Sequence, residues 1–156
     1  MKFQDSKTIN APRGRTYALL CKPRALKRCI PKCSGLTQIS ENHFEARVGV
    51  RIAWFNKEVP CEINLDTSGK PDKLGITIRG RGRLADLAKG DITISFAKSA
   101  DDKTQLSYVV QSHLDGTIMS FGSRLVEKEL KTLTINFFNN FSELADQREA
   151  QRATKV

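Results

Sequence analysis

The sequence predicts an α+β domain in which a curved antiparallel sheet of about seven strands surrounds a long C-terminal helix. Three observations predict it. Short helical segments that contain or adjoin prolines follow a first strand, apolar and polar residues alternate with a period of two in the middle of the chain, and apolar residues recur with a helical period in the last third. The 156 residues suit one domain. We place this domain at residues 1–146 and expect a frayed polar tail over 147–156.

The first part of the chain predicts a strand and two short helices. Residues 1–9 suit a strand, and Asn10 is expected to cap a helix that carries Pro12 in its first turn. Pro23 opens a second helix, and Pro31 ends it. Two short helices therefore follow the first strand.

The middle of the chain predicts strands with one buried face. The longest alternating run extends from Phe44 to Ile52, with turns expected near Asn56 and at residues 68–71. Counting a short strand at residues 36–39, about seven strands are joined by short connections, which favour antiparallel pairing.

From Thr117 onward, apolar residues recur at steps of three and four, which predicts one long helix. Its apolar stripe is expected to face the concave side of the sheet, and this combination is the helix-grip arrangement. The stripe consists of Ile118, Phe121, Leu125, Leu130, Leu133, Phe137, Phe141 and Leu144.

Apolar side chains from the sheet and the helix should line a pocket for a lipophilic molecule. We expect the pocket to lie between the inward register of the strands and the helical stripe. The candidate ligand-binding residues are Val48, Val50, Ile63, Ile76, Ile78, Ile94, Phe96, Tyr108, Phe121, Leu125, Leu133 and Phe137.

The inward register contains almost no catalytic side chains. Its polar members are Cys61 and Tyr108, and it holds neither paired carboxylates nor two histidines. Acid–base chemistry needs such groups, so we expect binding without catalysis or a cofactor. Cys29 and Cys33 form a short pair without the second pair that a zinc site needs, so we interpret them as structural thiols.

A glycine-rich stretch at residues 79–83 alternates with arginine but does not predict a phosphate loop, because no helix start follows it. Its three arginines are expected on the outer face of the sheet, with the glycines inward. Aromatic residues are not interleaved there, so nucleic acid is not an expected partner.

The net charge of +9 is concentrated near the N-terminus, where residues 1–35 hold nine Lys or Arg against Asp5 alone. No apolar run has the length of a membrane span, so we expect a cytoplasmic protein that attaches transiently to the inner face of the membrane. An acidic protein would suit the same cations, and both partners remain open. The docking residues, expected beside the opening of the pocket, are Arg15, Lys22, Arg24, Lys27 and Arg28.

Several short motifs, in this order, carry a resemblance to a known family. They are Ile9-Asn10-Ala11-Pro12, Cys29-Ile30-Pro31-Lys32-Cys33, the strand with Tyr108, Gly116, Phe121-Gly122-Ser123-Arg124-Leu125, and Phe137-Phe138. The chain resembles the carbon monoxide dehydrogenase G-subunit family, which lies within the START-like (SRPBCC) superfamily.

The resemblance implies a helix-grip fold with a hydrophobic tunnel, a quinone or lipid as ligand, and an accessory role for a molybdenum hydroxylase such as aerobic carbon monoxide dehydrogenase. Two other functions remain open: an assembly or docking factor that acts through its basic helices, and a cofactor-independent enzyme. Lys32 replaces the usual glycine of the Cys-Ile-Pro-Gly-Cys turn, so the loop is expected either to differ from that of the family or to carry strain. Longer members continue into a tail, and for this chain we expect no permanent anchor.

Overall fold

The computed structural model describes residues 1–82, 88–115 and 122–154. It confirms the predicted α+β fold class, with a seven-stranded sheet and a long C-terminal helix. The elements are β1 (Lys2–Ile9), α1 (Arg13–Leu20), α2 (Pro23–Cys29), β2 (Cys33–Ser40), β3 (His43–Ile52), β4 (Phe55–Asp66), β5 (Lys73–Gly80), β6 (Ala88–Ala100), β7 (Lys103–Leu114) and α3 (Ser123–Thr154).

The sheet has the strand order β1-β7-β6-β5-β4-β3-β2, and every neighbouring pair is antiparallel. β2 through β7 follow one another as a meander, while β1 joins the far edge beside β7. The chain therefore begins in β1 at one edge of the sheet, beside the last strand, β7. The two short helices connect β1 to β2, which lies at the opposite edge.

The β3–β4 turn lies earlier than predicted. Ile52 pairs with Phe55, so Ala53 and Trp54 form a two-residue turn, and the expectation of a turn near Asn56 was wrong. Ala53 adopts a φ of 53°, a conformation that glycine and asparagine favour, so its residue type does not indicate a turn. In the described strands, β2 pairs with β3 only as far as Val48, and β5 pairs with β4 only from Cys61 onward. Residues 50–59 therefore form a two-stranded hairpin, which we call the hairpin arm.

The start of α1 also differs from the prediction. Pro12, not Asn10, occupies the N-cap position, and no side chain caps the helix. The Asn10 amide instead donates to Asp146 on α3 at 3.2 Å. Pro23 does open α2, which ends at Cys29 before Pro31, as expected.

The polar C-terminal stretch is helical through Thr154, so the expected frayed conformation was wrong. Its side chains are held by the short helices. Arg15 donates two hydrogen bonds to Glu149, at 3.1 and 2.6 Å, and Arg28 donates to Gln147 at 2.5 Å. These contacts explain order in a segment whose composition is that of a solvated end. None of the helices in the described ranges is both long and apolar enough to span a membrane.

Candidate ligand pocket between the sheet and the long helix

The structure distributes the predicted pocket residues over three environments. Leu125 is exposed, and Phe121 lies outside the described residues. Val50 and Leu133 are half-buried, whereas Val48, Ile78 and Phe137 are half-buried and packed against the core. The fully buried members are Ile63, Ile76, Ile94, Phe96 and Tyr108.

Packing on the inward register loosens towards the end of the sheet that carries the hairpin arm. Along β3, Phe44 and Ala46 are buried, while Val48 and Val50 are half-buried. The same change occurs along β5 at Ile78 and along β6 at Ile92, whose neighbours Ile76 and Ile94 are buried. The apolar surface around Val48, Val50, Ile78 and Ile92 is therefore less completely covered than the surface near α1, although Ile52, further along β3 at the arm, is buried.

The long helix shows the same gradient. Its described buried residues are Val126, Phe138, Phe141, Leu144 and Ala145, of which Phe138 lies at the midpoint and the last three lie in the C-terminal half. The predicted stripe was rotated by about one residue near its start, because Leu125 is exposed and Val126 is buried instead. Leu130 and Leu133 lie half-buried over the loosely packed end.

An aromatic cluster lies between the tightly packed and the loosely packed parts of the interior. The Tyr108 and Phe138 rings stack with centroids 3.9 Å apart, and Phe137 meets Phe138 edge-on at 5.0 Å. Burial raises the pKa of the Tyr108 hydroxyl. The tyrosine is therefore neutral at physiological pH and suits an apolar lining.

An open pocket of about 240 Å³ lies between the hairpin arm and the start of α3. The backbone N–H of Arg51 donates to Glu129 at 2.7 Å, which ties the arm to the helix. The pocket is lined by Arg51, Ile52, Ala53, Leu125, Lys128, Glu129 and Thr132.

A smaller pocket of about 80 Å³ lies on the other side of the helix start, between Met1, Ser112, Leu114, Ser123, Val126 and Glu127. Ser112 is only 7% exposed, and its hydroxyl finds no hydrogen-bond partner among the described residues. A buried hydroxyl in this position can donate to an oxygen atom of a bound molecule. Sequence reasoning missed Ser112, although it continues the inward register of Tyr108 and Val110.

The buried polar groups offer little to catalysis. In the described ranges, no Asp, Glu, His, Lys or Arg is buried, and the buried polar residues are Thr16, Thr104 and Ser112. The Thr104 hydroxyl donates to the Ala11 carbonyl at 2.7 Å, and the Thr16 hydroxyl donates to the Pro12 carbonyl at 2.9 Å, which gives both a structural role.

The four cysteines are free thiols. Burial raises the pKa of Cys29 and Cys61 to about 11, so these thiols stay protonated near neutral pH and are poor nucleophiles. Across the ranges that the structure describes, no three His, Cys, Asp or Glu residues are grouped to hold a metal ion.

The glycine-rich stretch lies on the outer face in part. Arg79 is exposed, and Arg81 pairs with Glu45 at 2.9 Å and lies 3.9 Å from Glu62. Gly82 is exposed with a φ of 61°, so its expected inward position was wrong. Arg83 lies outside the described residues.

The basic short helices lie against the well-packed end of α3. Besides the contacts of Arg15 and Arg28 with that end, the Asn140 amide donates to the Cys29 carbonyl at 3.0 Å. The open pocket of about 240 Å³ borders the opposite half of the helix, and the expected position of these helices beside an opening to the ligand pocket stays a prediction. Three of the predicted docking residues are exposed and pair with no described residue: Lys22, Arg24 and Lys27.

Comparison with known families gives a match over residues 6–145 to the family described as the G subunit of carbon monoxide dehydrogenase (CoxG). The chain belongs to the CoxG family. No curated protein matches it.

Solved structures share the fold. A conserved protein from Geobacillus kaustophilus is 20% identical with a TM-score of 0.82, covering 94% of this chain and 96% of that one. A START superfamily protein from Mycobacterium smegmatis is 9% identical, with a TM-score of 0.74 and coverage of 94% and 97%. The Zhui aromatase/cyclase from Streptomyces sp. R1128 is 12% identical, with a TM-score of 0.68 and coverage of 95% and 94%.

The CoxG family and the START-like fold point to a ligand-binding accessory protein. The family implies association with a carbon monoxide dehydrogenase or a small hydrophobic ligand. Enzymes occur among the structural neighbours, and at such low identity they share the fold alone.

Proposed function

We propose that this CoxG protein is a non-enzymatic carrier of a quinone or a similar lipid, and that it serves a molybdenum hydroxylase such as an aerobic carbon monoxide dehydrogenase. One observation carries the proposal. The apolar face of the sheet is incompletely covered beneath the first half of α3, and no Asp, Glu, His, Lys or Arg is buried among the described residues. Such a lining suits burial of an apolar body rather than proton transfer.

Ser112 supports a ligand that carries an oxygen atom. Its hydroxyl is buried without a described partner, and leaving such a group unpaired costs free energy. A quinone combines an apolar body with carbonyl oxygens that accept hydrogen bonds. The match between the unpaired Ser112 hydroxyl and a carbonyl oxygen favours a quinone over a plain hydrocarbon.

Calorimetric titration with decyl-ubiquinone tests the proposal, alongside organic extraction and mass spectrometry of the purified protein. Leu133→Trp should fill the space under the helix and abolish binding. Ile135→Trp is the matched control, because Ile135 is exposed on the same helix and its replacement should leave binding unchanged. Equal binding by both variants, or no binding by the wild type, would contradict the proposal.

We place the partner enzyme at the short helices. Lys22, Arg24 and Lys27 are exposed cations without described partners, whereas Arg15 and Arg28 already contact α3. An acidic surface on the hydroxylase would complement this group. The protein would then work in the cytoplasm and at the inner face of the membrane.

A further inference from the structure

A row of inward-facing positions crosses three neighbouring strands of the sheet. Ile78 on β5 pairs with Gly90 on β6, and Gly90 pairs with Ser112 on β7. Gly90 shares the inward register of Ile92, so at its place the row has no side chain. Among the described residues, a Cβ built on Gly90 would meet only the Gln111 carbonyl, at 3.9 Å. The glycine therefore leaves space between the apolar Ile78 and the buried Ser112 hydroxyl.

The small pocket of about 80 Å³ adjoins this row at Ser112. Its volume is smaller than the roughly 150 Å³ of an apolar cavity that holds benzene. The pocket can therefore take the substituted edge of an aromatic ring, while the ring itself would lie over Gly90. The row and the pocket together suit a ligand with an apolar body and a polar head group.

The polar groups of the pocket differ in the hydrogen bonds that they can make. The Ser112 hydroxyl has no partner among the described residues and can donate or accept. The Glu127 side chain is half-buried and makes no hydrogen bond or ion pair with a described residue. A carboxylate accepts hydrogen bonds and cannot donate them. Ser123 and the Met1 amino group, which donates to the Ser112 carbonyl at 3.0 Å, can donate to a ligand oxygen of any kind.

We infer that this pocket holds a hydroxyl group of a hydroquinone, and that Glu127 makes the protein select the reduced form of its ligand. A hydroquinone hydroxyl donates to Glu127, whereas a quinone carbonyl would place one acceptor against another. The Ser112 hydroxyl can donate to an oxygen of either form, so it anchors the head group without discriminating. This inference rests on the proposed carrier function and adds to it the redox form of the cargo.

Selection of the reduced form has a thermodynamic consequence. A tenfold preference raises the reduction potential of the bound two-electron couple by about 30 mV relative to the free couple. A carrier with this preference would collect hydroquinone from an enzyme that reduces quinone.

Anaerobic calorimetric titration with decyl-ubiquinol and decyl-ubiquinone measures the preference. The wild type should bind the reduced ligand about tenfold more tightly than the oxidised one. Glu127→Gln should bring the ratio of the two affinities to about one, because an amide both donates and accepts. Ser112→Ala should weaken the binding of both forms about fivefold and leave their ratio unchanged.

Matched controls come from the same helix and the same strand. Glu143→Gln removes the same charge from an exposed position of α3, and Ser107→Ala removes the same hydroxyl from an exposed position of β7. Neither should change either affinity. Gly90→Val should weaken both forms about tenfold and equally, because its side chain fills the space of the ring. Circular dichroism shows that each variant is folded.

The outcomes separate this inference from the carrier function. A wild type that binds the oxidised form as tightly as the reduced one, or an unchanged ratio in Glu127→Gln, would overturn the inference and leave the carrier function standing. Full affinity of Ser112→Ala for both ligands would place the head group elsewhere and overturn it too. If the wild type binds neither form, the carrier function fails and the inference fails with it.

Discussion

Lys32 and Gly49 fit each other. Lys32 adopts a φ of 55°, and its carbonyl accepts a hydrogen bond from the Gly49 N–H at 2.9 Å. A Cβ placed on Gly49 would lie only 2.9 Å from Lys32 Cβ. The lysine that replaces the usual glycine of this turn therefore restricts its neighbour on β3 to glycine.

This fit predicts strong coupling between the two positions. Gly49→Ala should lower the free energy of unfolding by about 1–3 kcal/mol, because the added methyl group overpacks the contact. Lys32→Gly should raise it by about 1 kcal/mol by removing the left-handed strain. In the Lys32→Gly background, Gly49→Ala should cost much less. Urea denaturation of the four proteins measures the coupling, and additive effects would contradict it.

Phe138 and Phe137 are neighbours in sequence that should respond differently to truncation. Phe138 is 1% exposed and stacks on Tyr108, so Phe138→Ala should cost about 3–5 kcal/mol. Phe137 is half-buried, so Phe137→Ala should cost about 1–2 kcal/mol. Chemical denaturation checks both values, and equal costs would show that α3 is not oriented as described.

Stability should fall in alkaline solution because of two buried thiols. The pKa values of Cys29 and Cys61 are raised from 9.0 to about 11 by burial. Above pH 9 the unfolded chain loses these protons before the folded chain does, so stability falls as pH rises towards about 11, by up to about 1.4 kcal/mol per pH unit for each thiol.

The double variant Cys29→Ala, Cys61→Ala isolates this contribution. Its free energy of unfolding should change less between about pH 8 and about pH 10 than that of the wild type. An identical pH dependence in the two proteins would assign the alkaline loss to other groups.

Association with the hydroxylase should depend on α2. Arg24→Glu combined with Lys27→Glu should weaken binding to an aerobic carbon monoxide dehydrogenase, and salt should weaken the wild-type complex. Arg79→Glu combined with Lys89→Glu changes the charge equally on the outer face of the sheet, where these residues pair across β5 and β6. Surface plasmon resonance compares the two variants, and an equal loss of affinity would indicate a general charge effect.

Much of the fold could be predicted because its signals are local. Period-two alternation marked the strands, and Pro23 marked the start of α2. The position of the β3–β4 turn could not be predicted, because Ala53 takes a conformation that its side chain does not favour. Stable pairing of Ile52 with Phe55 overrides that preference.

The candidate site was predicted less completely than the fold. Alternation indicated which apolar side chains point inward, but it does not report how closely the helix approaches them. The rotation that exposes Leu125 and buries Val126 depends on contacts distant in sequence. Ser112 escaped notice because an isolated serine becomes informative only when its missing hydrogen-bond partner is known.

The two ends of α3 contact different parts of the protein. Its carboxyl end is joined to α1, α2 and the loop before α1 by Arg15, Arg28 and Asn10, while its amino end rests on the arm through the Arg51–Glu129 hydrogen bond. The two ends of α3 are therefore fixed to different parts of the fold, the short helices at one end and the hairpin arm at the other, so changes in either part act on the same helix.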